Sequence, residues 1–270
     1  MLSTLLIALR EGLEASLIVG ILIAYLSRSG LRNLILYLWI GVATAGLLTL
    51  GVGAILSFTS ATLSKRGEEL FAGVTSLAAV TLVTWMVFWM KKSARGLSQQ
   101  LQGRLAHAIP IGRIALVFAA FFAVAREGLE TALFVYANFK TVGSDATPTI
   151  GLIVGLIVAI GLGVGIYKRS IKIDLAKFFT ITGSALILIA AGVLSHGIHE
   201  FQNLGLLPGS GAYIWNFGAH DSVIATILDG TVGISTILTW LQFLLWGSFL
   251  GITLSLYLKR SAPVNLPISR

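Results

Sequence analysis

Long apolar runs, separated by short polar or charged stretches, fill this chain. Seven can be read, at roughly 2–26, 34–58, 69–90, 111–137, 148–168, 176–198 and 235–258. An α-helix needs about 20 apolar residues to cross a hydrocarbon core about 30 Å thick, and each run is close to that length. The pattern predicts an all-α integral membrane protein with seven transmembrane helices, forming a single transmembrane domain over residues 1–270.

The basic residues between the runs are unevenly shared. Connections one, three and five, with the run ends that border them and the C-terminal tail, hold 14 Lys and Arg: Arg28 and Arg32; Lys91, Lys92, Arg95, Arg104 and Arg113; Lys168, Arg169, Lys172 and Lys177; Lys259, Arg260 and Arg270. Connections two, four and six hold only Lys65, Arg66 and Lys140. Cytoplasmic loops carry the excess of Lys and Arg. The expected orientation is therefore N-terminus outside and C-terminus cytoplasmic. The long sixth connection, about 199–234, then faces outside. It carries Glu200, Asp221 and Asp229 without Lys or Arg, and its apolar stretches 211–217 and 223–228 suit helix or interface.

Composition strengthens this reading. The chain is 56% hydrophobic and 11% charged, where soluble domains usually carry about 25% charged residues. Its mean hydropathy of +0.91 belongs to a chain solvated mostly by lipid. The net charge of +8 does not point to nucleic acid, because the basic residues follow the topology of the apolar runs. Cysteine is absent and the only methionines are Met1, Met86 and Met90. Disulfides, thiolate metal sites and a thioether relay for a soft ion are thereby excluded. No G-x-x-x-x-G-K-[ST] phosphate loop is present. The first run lacks a basic leader and contains Arg10, Glu11 and Glu14, so it reads as a helix of the domain rather than a signal peptide.

Those charges belong to a motif that occurs twice. Arg10-Glu11-Gly12-Leu13-Glu14 in the first run is repeated as Arg126-Glu127-Gly128-Leu129-Glu130 in the fourth, 116 residues on. Three crossings separate the two runs, which makes their helices antiparallel. A 3+3 inverted repeat plus one C-terminal helix is implied, with repeat 1 about 1–90 and repeat 2 about 111–200. Such repeats place binding sites near the bilayer midplane, where the halves meet.

Helix geometry explains the spacing. Glu11 and Glu14 are i,i+3 and project from one face, as do Glu127 and Glu130. Each Arg stands i,i+4 from the second Glu of its copy and can pair with it. Each Gly leaves a flat spot for another backbone. An acidic or Arg residue at a helix centre costs about 2.5–3.5 kcal/mol to insert. Six of them facing lipid unpaired would cost on the order of 15–20 kcal/mol. They must face one another, water or an ion. Four carboxylates outnumber two guanidiniums, so the group attracts cations. A salt-bridge network locking the halves, a proton or ion relay and a cation site all remain open on these grounds, and carboxylate oxygens suit hard cations.

The doubled motif, in the first and fourth of seven helices, resembles the oxidase-dependent iron transporter family. That family includes the fungal high-affinity iron permeases and the bacterial EfeU-type permeases. Further similar stretches are Glu68-Glu69-Leu70-Phe71-Ala72-Gly73, Thr84-Trp85-Met86-Val87-Phe88-Trp89-Met90, Phe121-Phe122-Ala123-Val124-Ala125, and Ala190-Ala191-Gly192 on to His199-Glu200. The resemblance implies an iron permease of the cell membrane, not an enzyme, carrying Fe3+ or freshly oxidised Fe2+ inward. It implies Glu11, Glu14, Glu127 and Glu130 as iron ligands, with Arg10 and Arg126 as their paired arginines. Iron would be the transported substrate, and no organic cofactor is implied. An extracytoplasmic iron-oxidising or iron-delivering protein is the partner such permeases usually have. The alternatives are a transporter of another cation (lead, manganese or protons) and a membrane-embedded metalloenzyme using the carboxylates with His196 and His199.

Other polar residues fall on the expected outer side. His196, His199 and Glu200 lie within i,i+3 and i,i+4 reach at the end of the sixth run, where they could relay a metal or simply form a polar helix end. Glu68 and Glu69 open the third run, where acidic residues also suit a helix N-terminus. His220, Asp221 and Asp229 could collect cations or serve as loop and cap residues. The Trp and Phe residues near run ends are expected to be interface anchors.

Overall fold

The computed structural model describes residues 2–93, 103, 106–107, 109–110, 112–142, 147–168, 174–216 and 237–259. Among these, seven long helices carry the fold: α1 (Leu2–Arg28), α2 (Ile35–Thr62), α3 (Lys65–Ser93), α4 (Arg113–Val142), α5 (Thr147–Tyr167), α6 (Leu175–Asn203) and α7 (Trp240–Leu258). Two short strands, β1 (Tyr213–Asn216) and β2 (Ile237–Thr239), pair antiparallel between α6 and α7.

Every helix found corresponds to one apolar run, and the helices are longer than the runs at polar ends. α3 begins at Lys65, so Glu68 sits in its first turn and Glu69 directly follows it. α6 extends to Asn203, and His196, His199 and Glu200 lie inside the helix. Hydropathy reports where lipid solvates a helix, whereas hydrogen bonding continues into the polar layer. The last helix differs in the other direction. It starts at Trp240 rather than near 235 because residues 237–239 are extended. There Thr239 and Gln242 form a capping box: Gln242 N–H donates to Thr239 Oγ1 (3.3 Å), and Thr239 N–H donates to Gln242 Oε1 (2.9 Å).

Local signals set other ends. Asp174 caps α6 by accepting from Lys177 N–H at 3.1 Å. Past α1, Gly30 takes φ +72°, and Leu31 N–H reaches back to Leu26 C=O at 2.9 Å. This is the left-handed glycine stop that closes many helices. Lys91 Nζ donates to the backbone carbonyls of Tyr257 and Lys259, tying the end of α3 to the last carbonyls of α7.

Five helices, α2, α3, α5, α6 and α7, are long and apolar enough to cross a membrane, so the chain is a membrane protein. α1 and α4 have the length as well, but the motif charges interrupt their apolar faces. Large apolar side chains stand exposed on the outside, among them Leu50 and Phe58 on α2, Ile153 and Ile157 on α5, and Leu244 and Ile252 on α7. A helix apolar all round is stable against lipid.

The packing is exchanged between the two halves. α1 lies along α5, α2 along α4, and α3 against α6, while α1 and α4 cross. α7 packs on α6. Small residues set the close seams. A Cβ on Gly155 would lie 2.9 Å from Ala8 Cβ, one on Gly41 2.8 Å from Ala120 Cβ, and one on Gly197 2.9 Å from Ser76 Cβ. One apolar core joins α3 and α6 with parts of α1, α4 and α7. A second joins Ile18, Leu22 and Leu26 of α1 to Leu38 of α2 and Leu116 of α4. The motif residues lie between these two regions along α1.

Candidate metal centre

The two motif helices run antiparallel where they meet. Ser3, near the start of α1, donates to Asn138 Oδ1 near the end of α4 at 2.9 Å. Further along α1, Glu14 meets Glu127, which lies earlier in α4. Both copies of Arg-Glu-Gly-Leu-Glu are thus brought to one level. Their glycines seat neighbouring helices against them. A Cβ on Gly12 would lie 2.8 Å from Ala159 Cβ of α5, and one on Gly128 would collide with Thr49 Oγ1 of α2. The motif glycine is therefore required by packing.

Glu11, Glu14 and Glu127 are buried and each offers a carboxylate oxygen to a common point, these atoms lying within 4.8 Å of one another. No other set of three carboxylates or imidazoles converges so closely among the described residues. The fourth motif glutamate, Glu130, stands beside this cluster and accepts from Arg126 Nε at 3.0 Å.

The two arginines differ. The Arg10 side chain is 1% exposed, with Nη1 3.4 Å from Glu11 Oε1 and Nη2 3.2 Å from Glu14 Oε1. The second contact is an ion pair without good hydrogen-bond geometry, so Glu14 Oε1 lacks a hydrogen-bond donor. The Arg126 side chain is 39% exposed and lies over the Trp89 ring, 4.1 Å from its centroid.

The donor set suits a hard cation. Glu11 Oε2, Glu14 Oε1, Glu127 Oε2 and Glu130 Oε2 are all buried without a hydrogen-bond donor. An unsatisfied buried polar atom costs about 1–3 kcal/mol, and more when charged. Four such oxygens from two helices form an anionic, oxygen-lined site, the chemistry that binds hard or borderline divalent and trivalent ions.

The other polar residues singled out in the sequence form a separate group. Glu68 and Glu69 begin α3, and His196, His199 and Glu200 occupy the last turns of α6. The two helices touch there, with Gly73 against the Phe201 ring. His196 Nε2 is 3.5 Å from Glu200 Oε1. Asp221, with His220 and Asp229, lies outside the described residues.

Sequence reasoning missed Trp89, Thr49 and the Ser3–Asn138 pair. Asn138 had a signal, since it falls on the face of Glu127 three helical turns later. Trp89 was marked only as part of a family-like stretch and as an expected interface anchor, and the structure instead sets it against Arg126. Thr49 had no signal, because the contacts of both depend on which helix α3 and α2 lie against.

Residues 1–247 match the iron permease FTR1 family. The chain is 37% identical over 242 residues to the ferrous iron permease EfeU of Yersinia pestis, covering 84% of this chain and 83% of that protein. It is 36% identical over 252 residues to the protein of the same name from Escherichia coli O6:H1, covering 89% and 91%. The Shigella sonnei protein of that name is also 36% identical over the same length. No solved structure gives a significant match. The resemblance carried by the doubled motif and the match along the chain agree: this chain belongs to the iron permease FTR1 family.

Proposed function

We propose that this chain is a multi-pass permease of the cell membrane that carries iron into the cytoplasm through the Glu11–Glu14–Glu127 cluster, with Glu130 as the fourth ligand. The observation that carries the reading is the convergence of three buried carboxylates from two antiparallel helices on one point. The family and the relatives named ferrous iron permeases supply iron as the ion. The names of these relatives also favour a transporter over an enzyme.

The proposal includes the architecture. All seven helices span the membrane, the N-terminus lies outside, and helices α1–α3 and α4–α6 are inverted repeats with α7 added. The exchanged packing supports the repeat. Swapping the halves turns the α1–α5 contact into α4–α2, and leaves α1–α4 and α3–α6 unchanged. A pseudo-two-fold axis between α1 and α4 would produce this pattern. Iron would approach from the side where α3 starts and α6 ends, past Glu68, Glu69, His199 and Glu200. An extracytoplasmic iron-oxidising or iron-delivering protein would present it there.

The membrane potential would supply a driving force without ATP, and proton coupling is equally allowed. An inside-negative potential provides about 2.3 kcal/mol per charge per 100 mV, so about 5 kcal/mol for a divalent and about 7 for a trivalent ion. Glu14→Ala and Glu127→Ala should each abolish iron uptake into proteoliposomes, with the protein still in the membrane. Uptake at the wild-type rate by either variant would overturn the reading. Competition by manganese, lead and zinc in the same assay separates iron from other cations.

A further inference from the structure

The two copies of Arg-Glu-Gly-Leu-Glu are identical in sequence but not in arrangement, so their neighbours must cause the difference. Arg10 lies across both carboxylates of its own copy, near Glu11 and Glu14. Arg126 makes its close ion pair with Glu130, at 3.0 Å, and among the described residues no ion pair within 4 Å joins it to Glu127. Its guanidinium is laid on the Trp89 ring of α3, with 4.1 Å to the centroid, and among the described residues no ring lies over Arg10. A cation on an aromatic face is attracted by the ring's quadrupole, most strongly on Trp. By sequence Arg126 could reach Glu127 as Arg10 reaches Glu11, but in the structure it lies on the Trp89 ring instead. Glu127 is thereby left to join Glu11 and Glu14.

We propose that Trp89 is a positioning residue for the ion site: it holds Arg126 on Glu130 and off Glu127, so that one carboxylate of the cluster has no arginine of its own. The inference rests on the transport reading only for the identity of the ion. Without the ring, Arg126 swings over Glu127 as well as Glu130 and places a second guanidinium against the cluster. That charge competes with the metal for Glu127 oxygens. The consequence is weaker ion binding with the turnover machinery intact.

The test uses Trp89→Leu, which removes the ring face, and Trp89→Phe, which keeps one. Trp89→Met, with a longer and unbranched side chain, is a third variant should leucine reduce retention in the membrane. Two quantities are measured: ferrous ion binding to the detergent-purified protein, and iron uptake in proteoliposomes at varied concentration. The leucine and methionine variants should raise both the dissociation constant and the half-saturating concentration tenfold or more, with maximal rate within twofold of wild type. The phenylalanine variant should recover both to within about threefold. A merely structural role for Trp89 would lower the maximal rate or the yield and leave binding unchanged. Wild-type binding by the leucine or methionine variant, or equal impairment of phenylalanine and leucine, overturns the proposal. Failure of the wild type to take up iron would instead overturn the transport reading, and the binding measurement still decides the role of Trp89.

Discussion

At the residue scale, the centre is defined by which charge has a partner. Arg10 is fully buried between two carboxylates, while Arg126 is partly exposed and shared between one carboxylate and an indole. Removing one partner of a buried ion pair typically costs about 3–5 kcal/mol, because the remaining charge is left uncompensated. Arg10→Ala should therefore lower the thermal stability of the detergent-purified protein by that order. Arg126→Ala should lower it clearly less, since its surroundings are partly open. Equal losses would contradict the asymmetry described. This asymmetry was not legible in the sequence, where the two motifs read alike. That the two glutamates of each copy share a helix face was legible, because i,i+3 spacing fixes it wherever the helix packs.

At the element scale, helices are held at close distance by small residues in fixed register. Gly128 lies against Thr49, whose hydroxyl is already committed to Ala45 C=O at 3.0 Å. Gly128→Ala inserts a methyl group where that hydroxyl stands, and overpacking of this kind costs about 1–3 kcal/mol. A thermal melt in detergent should show the loss, and adding Thr49→Ala should restore most of it. An unchanged melting temperature for Gly128→Ala would show that the seam is not tight there. The glycine's need for close approach could be read from the motif, but not the helix it approaches. Helix positions were legible because lipid demands continuous apolar runs. Their ends were less so, as Lys65 and Asn203 show, since polar end turns carry no apolar signal. The β1–β2 ribbon was not legible either, because Tyr213–Asn216 is ordered by pairing with residues more than twenty positions away.

At the scale of the whole molecule, the proposed architecture of two halves inverted about a shared carboxylate centre accounts for both the uneven basic residues and the exchanged packing. The absence of cysteine makes the orientation simple to test. Ser64, exposed between α2 and α3, should react as Ser64→Cys with an impermeant maleimide on intact cells. Ser29, exposed between α1 and α2, should react as Ser29→Cys only after lysis. The reverse pattern would invert the topology. The central claim is that the doubled motif holds the transported ion. Anomalous scattering from crystals soaked in ferrous iron tests it most directly. The expected result is one iron peak bounded by oxygens of Glu11, Glu14 and Glu127, with Glu130 as the fourth ligand, and lost in Glu14→Ala. Iron bound only elsewhere in the protein, with these three carboxylates bare, would contradict it.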